Sequence, residues 1–258
     1  MFTLIAGPCS LEDDALNLTV AREVARIGAA YGLSVRFKGS FDKANRARGD
    51  APRGLGLEAG LAALARVKAE TGLRVLTDIH EPWQAAPVAE VADILQIPAF
   101  LCRQTDLLTS AGATGRAVSV KKGQWMAPED MAHAVEKARK AGAADVTVTE
   151  RGTAFGYGDL VVDMRSFARI RQACGVPVIF DGTHSVQRPG RNEGASGGDP
   201  EHTPALVRAA VAAGCDGLYL EVHPEPARAP SDGANMLPLH RLEPLVVSVV
   251  AILEAMAA

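Results

Sequence analysis

Lys38, Ser40, Lys43, Asn45 and Arg46 fall within nine residues, directly after an alternating apolar run made by Leu33, Val35 and Phe37. A strand end that fans out cations, a hydroxyl and an amide suits a small polyanion, because each supplies a donor or a positive charge. The plain alternative is a solvated basic loop. Similar polar clusters after several other expected strands weigh against it.

A second group of residues carries metal chemistry. Cys9, His184, Glu221 and Asp232 offer a thiolate, an imidazole and two carboxylates. Such a borderline-soft set suits Zn2+, Fe2+ or Mn2+ better than Mg2+ or Ca2+. No short Cys-x-x-Cys spacing supports it. A buried small residue at position 9 and a loop histidine at position 184 remain the structural alternatives.

The elements that must position these residues recur at regular intervals. Strands are expected at Phe2–Ala6, Ser34–Lys38, Arg74–Asp78, Ile94–Ile97, Ala117–Lys121, Asp145–Thr149, Val176–Asp181 and Gly217–Val222. Between them run Ala/Leu/Val-rich segments with helical spacing, among them Ala15–Tyr31, Leu57–Thr71, Pro128–Ala141, Pro204–Ala213 and Leu242–Met256. Gly32, Gly72, Gly142 and Gly214 punctuate helix ends, as C-terminal caps do. Eight strand–helix units without a composition break predict one (β/α)8 TIM barrel over residues 1–258. An open doubly wound sheet is the alternative, but no Gly-x-Gly-x-x-Gly turn follows the first strand.

In such a barrel the chemistry sits at the C-terminal ends of the strands. Those ends here carry Cys9-Ser10, Lys38, Asp78 with His80, Arg103, Lys121 with Gln124, Glu150-Arg151, Asp181 with His184, and Glu221 with His223. Lys38, Lys43, Lys121 and Arg151 would converge on one mouth and repel one another unless anions neutralised them. Phosphates and carboxylates are the ligands that follow.

Composition removes other classes. A formal charge of −3 leaves no basic excess for nucleic acid. Every apolar stretch is interrupted by Asp, Glu, Lys or Arg, so no membrane span is expected. The N-terminal residues Met1–Cys9 lack the features of a secretory signal, and a cytoplasmic location is expected. The four cysteines are then expected to be reduced.

Longer motifs resemble a known family. Lys38-Gly39-Ser40-Phe41-Asp42-Lys43-Ala44-Asn45-Arg46, Thr77-Asp78-Ile79-His80-Glu81-Pro82, Gln96 to Asp106 and Val120-Lys121-Lys122-Gly123-Gln124 are similar to 3-deoxy-D-manno-octulosonate 8-phosphate synthases. Arg151-Gly152, Phe155-Gly156-Tyr157, Val178 to His184, Gly194 to Gly198, Glu221-Val222-His223-Pro224 and Ser231-Asp232-Gly233 continue the resemblance in order. It implies condensation of phosphoenolpyruvate with arabinose 5-phosphate. It places Lys38, Ser40, Lys43, Lys121, Gln124 and Arg151 on phosphoenolpyruvate, and Asn45 and Arg46 on the aldose phosphate. Asp78 and His80, at a strand end, would contact the enol face or a metal-bound water, with a structural role for His80 as the alternative, and Lys43, Cys9, His184 and Asp232 would serve the reaction itself. Arg103 resembles an arginine supplied across a subunit interface, which implies a homotetramer. Members with cysteine at the Cys9 position are metal-dependent and those with asparagine are not. The resemblance thus implies one divalent metal held by Cys9, His184, Glu221 and Asp232.

Two departures stand beside it. Ala47 replaces the usual hydroxyl residue after Asn45-Arg46, and the N-terminal hairpin found under the barrel in many relatives is not expected. The related 3-deoxy-D-arabino-heptulosonate 7-phosphate synthases use erythrose 4-phosphate and carry Lys-Pro-Arg-Thr where this chain has Lys43-Ala44-Asn45-Arg46. That activity is one alternative. A non-catalytic barrel that binds a phosphorylated metabolite is the other. The Gly194–Gly198 stretch reads as a lid or as a tight turn.

Overall fold

A computed structural model describes residues 1–46, 48–192 and 195–258, with backbone alone at 189–192 and 195–196. Ala47 and Gly194 lie outside the described residues. The chain runs β1 (Thr3–Gly7), α1 (Asp14–Tyr31), β2 (Ser34–Lys38), α2 (Leu57–Thr71), β3 (Arg74–Asp78), α3 (Ala85–Val91), β4 (Ile94–Ile97) and α4 (Thr105–Ala113). It continues with β5 (Ala117–Lys121), α5 (Met131–Ala141), β6 (Val146–Glu150), β7 (Thr153–Phe155), β8 (Asp159–Val161), α6 (Ser166–Cys174) and β9 (Val178–Asp181). The last part holds β10 (Gln187–Asn192), β11 (Ala195–Gly198), α7 (Thr203–Ala212), β12 (Gly217–His223), β13 (Leu237–Pro238) and α8 (Leu242–Ala257).

Strands β1, β2, β3, β4, β5, β6, β9 and β12 pair in that order, all parallel, and β12 pairs back onto β1. The register of closure runs from Thr3 opposite Gly217 to Gly7 opposite Glu221. With the eight α-helices among the described residues outside, the sheet is a closed (β/α)8 TIM barrel, as expected. Alternation along each strand divides the core. Ile5, Leu76, Ile94, Ile179 and Tyr219 pack inside the barrel. Leu4, Ala6, Phe37, Val75, Val118, Val148, Phe180 and Leu220 pack outward with the helices. Each fully buried side chain of this kind contributes about 1.5–3 kcal/mol relative to exposure.

Local signals explain the boundaries. Asp13 caps α1 by accepting from Leu16 N at 2.8 Å, and Gly32 closes that helix in the left-handed region at φ 63°. β6 begins one residue later than expected because the Asp145 side chain accepts from Val146 N at 2.8 Å. Helix α5 begins at Met131 rather than Pro128, since residues 128–130 form turns. Two antiparallel hairpins, β7–β8 and β10–β11, were not anticipated. Ala195–Gly198 of the Gly-rich stretch form strand β11 of the second hairpin. No helix among the described residues is long and apolar enough to cross a membrane.

Candidate active site and metal centre

A cavity of about 550 Å3 opens at the C-terminal ends of the strands. Lys38, Lys43, Asn45, Arg46, Asp78, Lys121, Gln124, Arg151, His184, Glu221 and Asp232 line it, drawn from elements all around the barrel. Cys9 and Ser40 are buried below the lining, and Arg103 is exposed and does not line the cavity of its own chain. Ser40 Oγ accepts from Lys38 Nζ at 2.8 Å, so it orients that lysine from beneath.

The four expected metal ligands come together on one wall. Sγ of Cys9 and a carboxylate oxygen each of Glu221 and Asp232 lie within 4.8 Å of one another. Nε2 of His184 stands 3.7 Å from both Glu221 Oε2 and Asp232 Oδ2. Cys9 Sγ lies 3.6 Å from Asp232 Oδ2 and 3.1 Å from Ser231 Oγ. Asp232 is held at φ 49°, a left-handed conformation that few non-glycine residues adopt. Burial above all pushes the Cys9 thiol well above its ordinary range, and Glu221 adds to that.

The donors are prepared for a cation. Glu221 Oε1 accepts from Tyr219 Oη at 2.9 Å and from Lys38 Nζ at 3.0 Å, while its buried Oε2 has no hydrogen-bond partner among the described residues. His184 Nδ1 lies 2.8 Å from Asp181 Oδ2 and 3.0 Å from Oδ1, which places its N–H there and leaves the Nε2 lone pair facing the carboxylates. A thiolate, an imidazole and two carboxylates of this kind fit a divalent transition metal.

Cations are interleaved with these ligands, Lys121 Nζ standing 3.3 Å from His184 Nδ1. Lys121 Nζ donates to Asp181 Oδ2 at 2.6 Å and sits 3.7 Å from the centre of the Tyr219 ring. Burial lowers its pKa and Asp181 partly restores it. Burial works against the charge on Lys43, yet Cys9, Glu221, Asp78 and Asp232 together raise its pKa. Arg151 is buried, donates from Nη2 to Gln187 Oε1 at 2.8 Å, and keeps a buried Nη1 without a partner among the described residues. Asp78 Oδ2 accepts from His80 Nε2 at 3.1 Å, and the buried Nδ1 of His80 has no partner among the described residues. Arg46 donates from Nε to Pro52 O and from Nη2 to Pro230 O, tying the loop after β2 to the loop after β12. Asn45 is exposed at the rim.

Asp181 was placed at a strand end but given no role, and Tyr219 was missed as a site residue. Asp181 lies three residues before His184, and Tyr219 lies two before Glu221 on the same face of β12. The period of two along a strand was the available signal for Tyr219.

The profile of the DAHP synthetase I family matches residues 1–255, and the chain belongs to that family. Within it, the chain is 58% identical over 243 residues to a protein of Nitratidesulfovibrio vulgaris named 2-dehydro-3-deoxyphosphooctonate aldolase, covering 94% of this chain and 89% of that one. Proteins of the same name from Rhodopseudomonas palustris and a Cyanothece species are 54% and 53% identical. They cover 95% and 99% of this chain, and 85% and 93% of their own lengths.

Proposed function

We propose that this chain condenses phosphoenolpyruvate with arabinose 5-phosphate and water to give 3-deoxy-D-manno-octulosonate 8-phosphate and inorganic phosphate. The observation that carries this reading is the gathering of Lys43, Lys121 and Arg151 with Cys9, His184, Glu221 and Asp232 at one cavity, Lys121 Nζ standing 3.3 Å from His184 Nδ1. The names of the curated relatives refer to the octonate, and they do not favour the heptulosonate alternative.

The enol carbon of phosphoenolpyruvate bonds to the aldehyde carbon, whose oxygen takes a proton. The oxygen of water bonds to the former enol C2, and the C–O bond to phosphate breaks with its electron pair leaving on phosphate. Lys38, Lys121, Gln124 and Arg151 hold the phosphate and carboxylate of phosphoenolpyruvate, with the free Nη1 of Arg151 available as a donor. Asn45 and Arg46 face the aldose phosphate at the rim. Holding two anionic substrates side by side offsets their repulsion and brings the reacting carbons together. His80, with Nε2 on Asp78 at 3.1 Å, lines the cavity and positions that carboxylate. A divalent transition metal held by Cys9, His184, Glu221 and Asp232 would supply Lewis acidity when bound. Arg103 is exposed and does not line its own cavity, and in a homotetramer it would serve a neighbouring one. A cytoplasmic location completes this reading.

Phosphate release with phosphoenolpyruvate and either arabinose 5-phosphate or erythrose 4-phosphate tests the assignment. Release with the five-carbon sugar alone, lost on chelation and regained with Zn2+, Fe2+ or Mn2+, is the expected result. Release mainly with the four-carbon sugar would move the chain to the heptulosonate activity. Silence with both would leave a barrel that binds without turnover.

A further inference from the structure

At the opposite end of the barrel, a second cavity of about 180 Å3 opens among the N-terminal ends of the strands. Arg36, Arg74 and Arg116 line it. Arg36 and Arg74 are direct partners in the register of β2 against β3. Neighbouring strands lie about 4.8 Å apart, and like charges placed directly opposite destabilise a sheet. Two arginines are thus placed opposite each other on adjacent strands, where their like charges oppose pairing.

One of their two possible counter-charges is occupied elsewhere, and the other, Asp145, gives one oxygen to a backbone N–H. Asp93 lines the same cavity, but it accepts from Lys68 Nζ at 2.7 Å and from Val75 N at 2.9 Å. Asp145 spends Oδ1 on Val146 N at 2.8 Å. Arg116 donates its Nε to Ala89 O at 2.9 Å. The buried Nε of Arg36 has no hydrogen-bond partner among the described residues. Burial first, and then Arg74 beside it, lowers the pKa of Arg36, with Asp145 opposing.

We propose that this N-terminal cavity is a second anion site, in which Arg36 and Arg74 bind a phosphate group, with Arg116 at its edge. Guanidinium forks match the oxygens of phosphate in pairs, and a dianion between the two arginines relieves their repulsion. The site is independent of the catalytic reading. Arg36 and Lys38 share one face of β2 but open onto opposite ends of the barrel.

Equilibrium dialysis with radiolabelled inorganic phosphate tests it on the full chain. Wild type is expected to bind phosphate in two classes of site. Arg74→Gln, at an exposed position, is expected to fold normally and keep turnover. In that variant one class should weaken roughly tenfold or more, as expected for a lost hydrogen bond to a charged group. Arg151→Gln at the mouth should weaken the other class and leave this one. If the mouth does not hold phosphate, wild type shows one class, which survives Arg151→Gln and is lost in Arg74→Gln. Competition by glycerol phosphate at the Arg74-dependent class would identify a phosphomonoester as ligand; competition only by phosphate itself would identify the free ion. Unchanged phosphate binding in both Arg74→Gln and Arg36→Gln would overturn the proposal.

Discussion

Lys38 Nζ stands 3.0 Å from Glu221 Oε1, and both side chains are almost wholly removed from solvent. The pair sets which carboxylate oxygen of Glu221 is left for a cation. Burial disfavours the carboxylate, but Lys38, then His184, Lys43 and Lys121, hold its pKa well below the usual range. Removing one partner of a buried pair strands the other charge, at a cost of about 3–5 kcal/mol. Lys38→Met is therefore expected to lower the urea midpoint markedly. Lys38→Met/Glu221→Leu should recover much of that stability while remaining inactive. A Lys38→Met midpoint equal to wild type would refute the pairing argument.

Asp181 acts on the metal centre through another residue. Its carboxylate holds both His184 Nδ1 and Lys121 Nζ, and it is fully buried. Hydrogen-bond partners of this kind orient a histidine ligand and raise its basicity. Asp181→Asn keeps the shape but drops the charge, and is expected to weaken metal binding about 10- to 100-fold. Competition against a chromophoric chelator reads this without reference to turnover. An unchanged affinity would assign Asp181 to Lys121 alone.

Gly7 ends β1 immediately before Pro8 and Cys9 and sits against β2. A Cβ there would lie 1.9 Å from Lys38 O, a backbone atom that cannot move without displacing Lys38 itself. Gly7→Ala is expected to cost about 1–3 kcal/mol from overpacking and to lower Tm by several degrees. Gly49→Ala, where nothing lies within 4 Å, is the control and should leave Tm unchanged. Equal Tm values for the two variants would contradict the close approach of β1 and β2.

The barrel was legible because its strands carry short β-rich runs, most of them closed by a polar residue, although β1 ends at Gly7 and β4 at Ile97. β2, β3, β4 and β5 fall at the expected residues. The hairpins were not, because β7 and β8 are largely exposed and lack the alternation that burial imposes. Convergence of Lys43, Lys121 and Arg151 could be inferred from closure of the barrel alone. What Ser40 and Tyr219 touch could not. Ser40 has the same donor chemistry as a substrate contact, and only packing shows that Lys38 covers it. The metal ligands span more than two hundred residues, so no local spacing announces them. The left-handed turn at Asp232 likewise depends on the loop that holds it.

The cysteines give a test of how dry the barrel end is. All four are free and buried. Burial pushes Cys174 up to about 11 and Cys215 up to about 12, and Cys9 beyond both despite Lys43 and Lys38 nearby. A thiol with a pKa near 11 is ionised at pH 8 in roughly one molecule in a thousand, and the thiolate is the reactive form. Native protein treated with iodoacetamide at pH 8 is therefore expected to label slowly, with Cys174 first, since it is the most accessible at 6% exposure. Denaturant should release all four. Peptide mapping by mass spectrometry gives the order. If Cys9 labels first in metal-free protein, Lys38 and Lys43 outweigh burial there, and the thiolate is ready before any metal arrives. If Cys9 labels last, the metal must itself displace the thiol proton, and metal uptake should release one proton per chain from this residue.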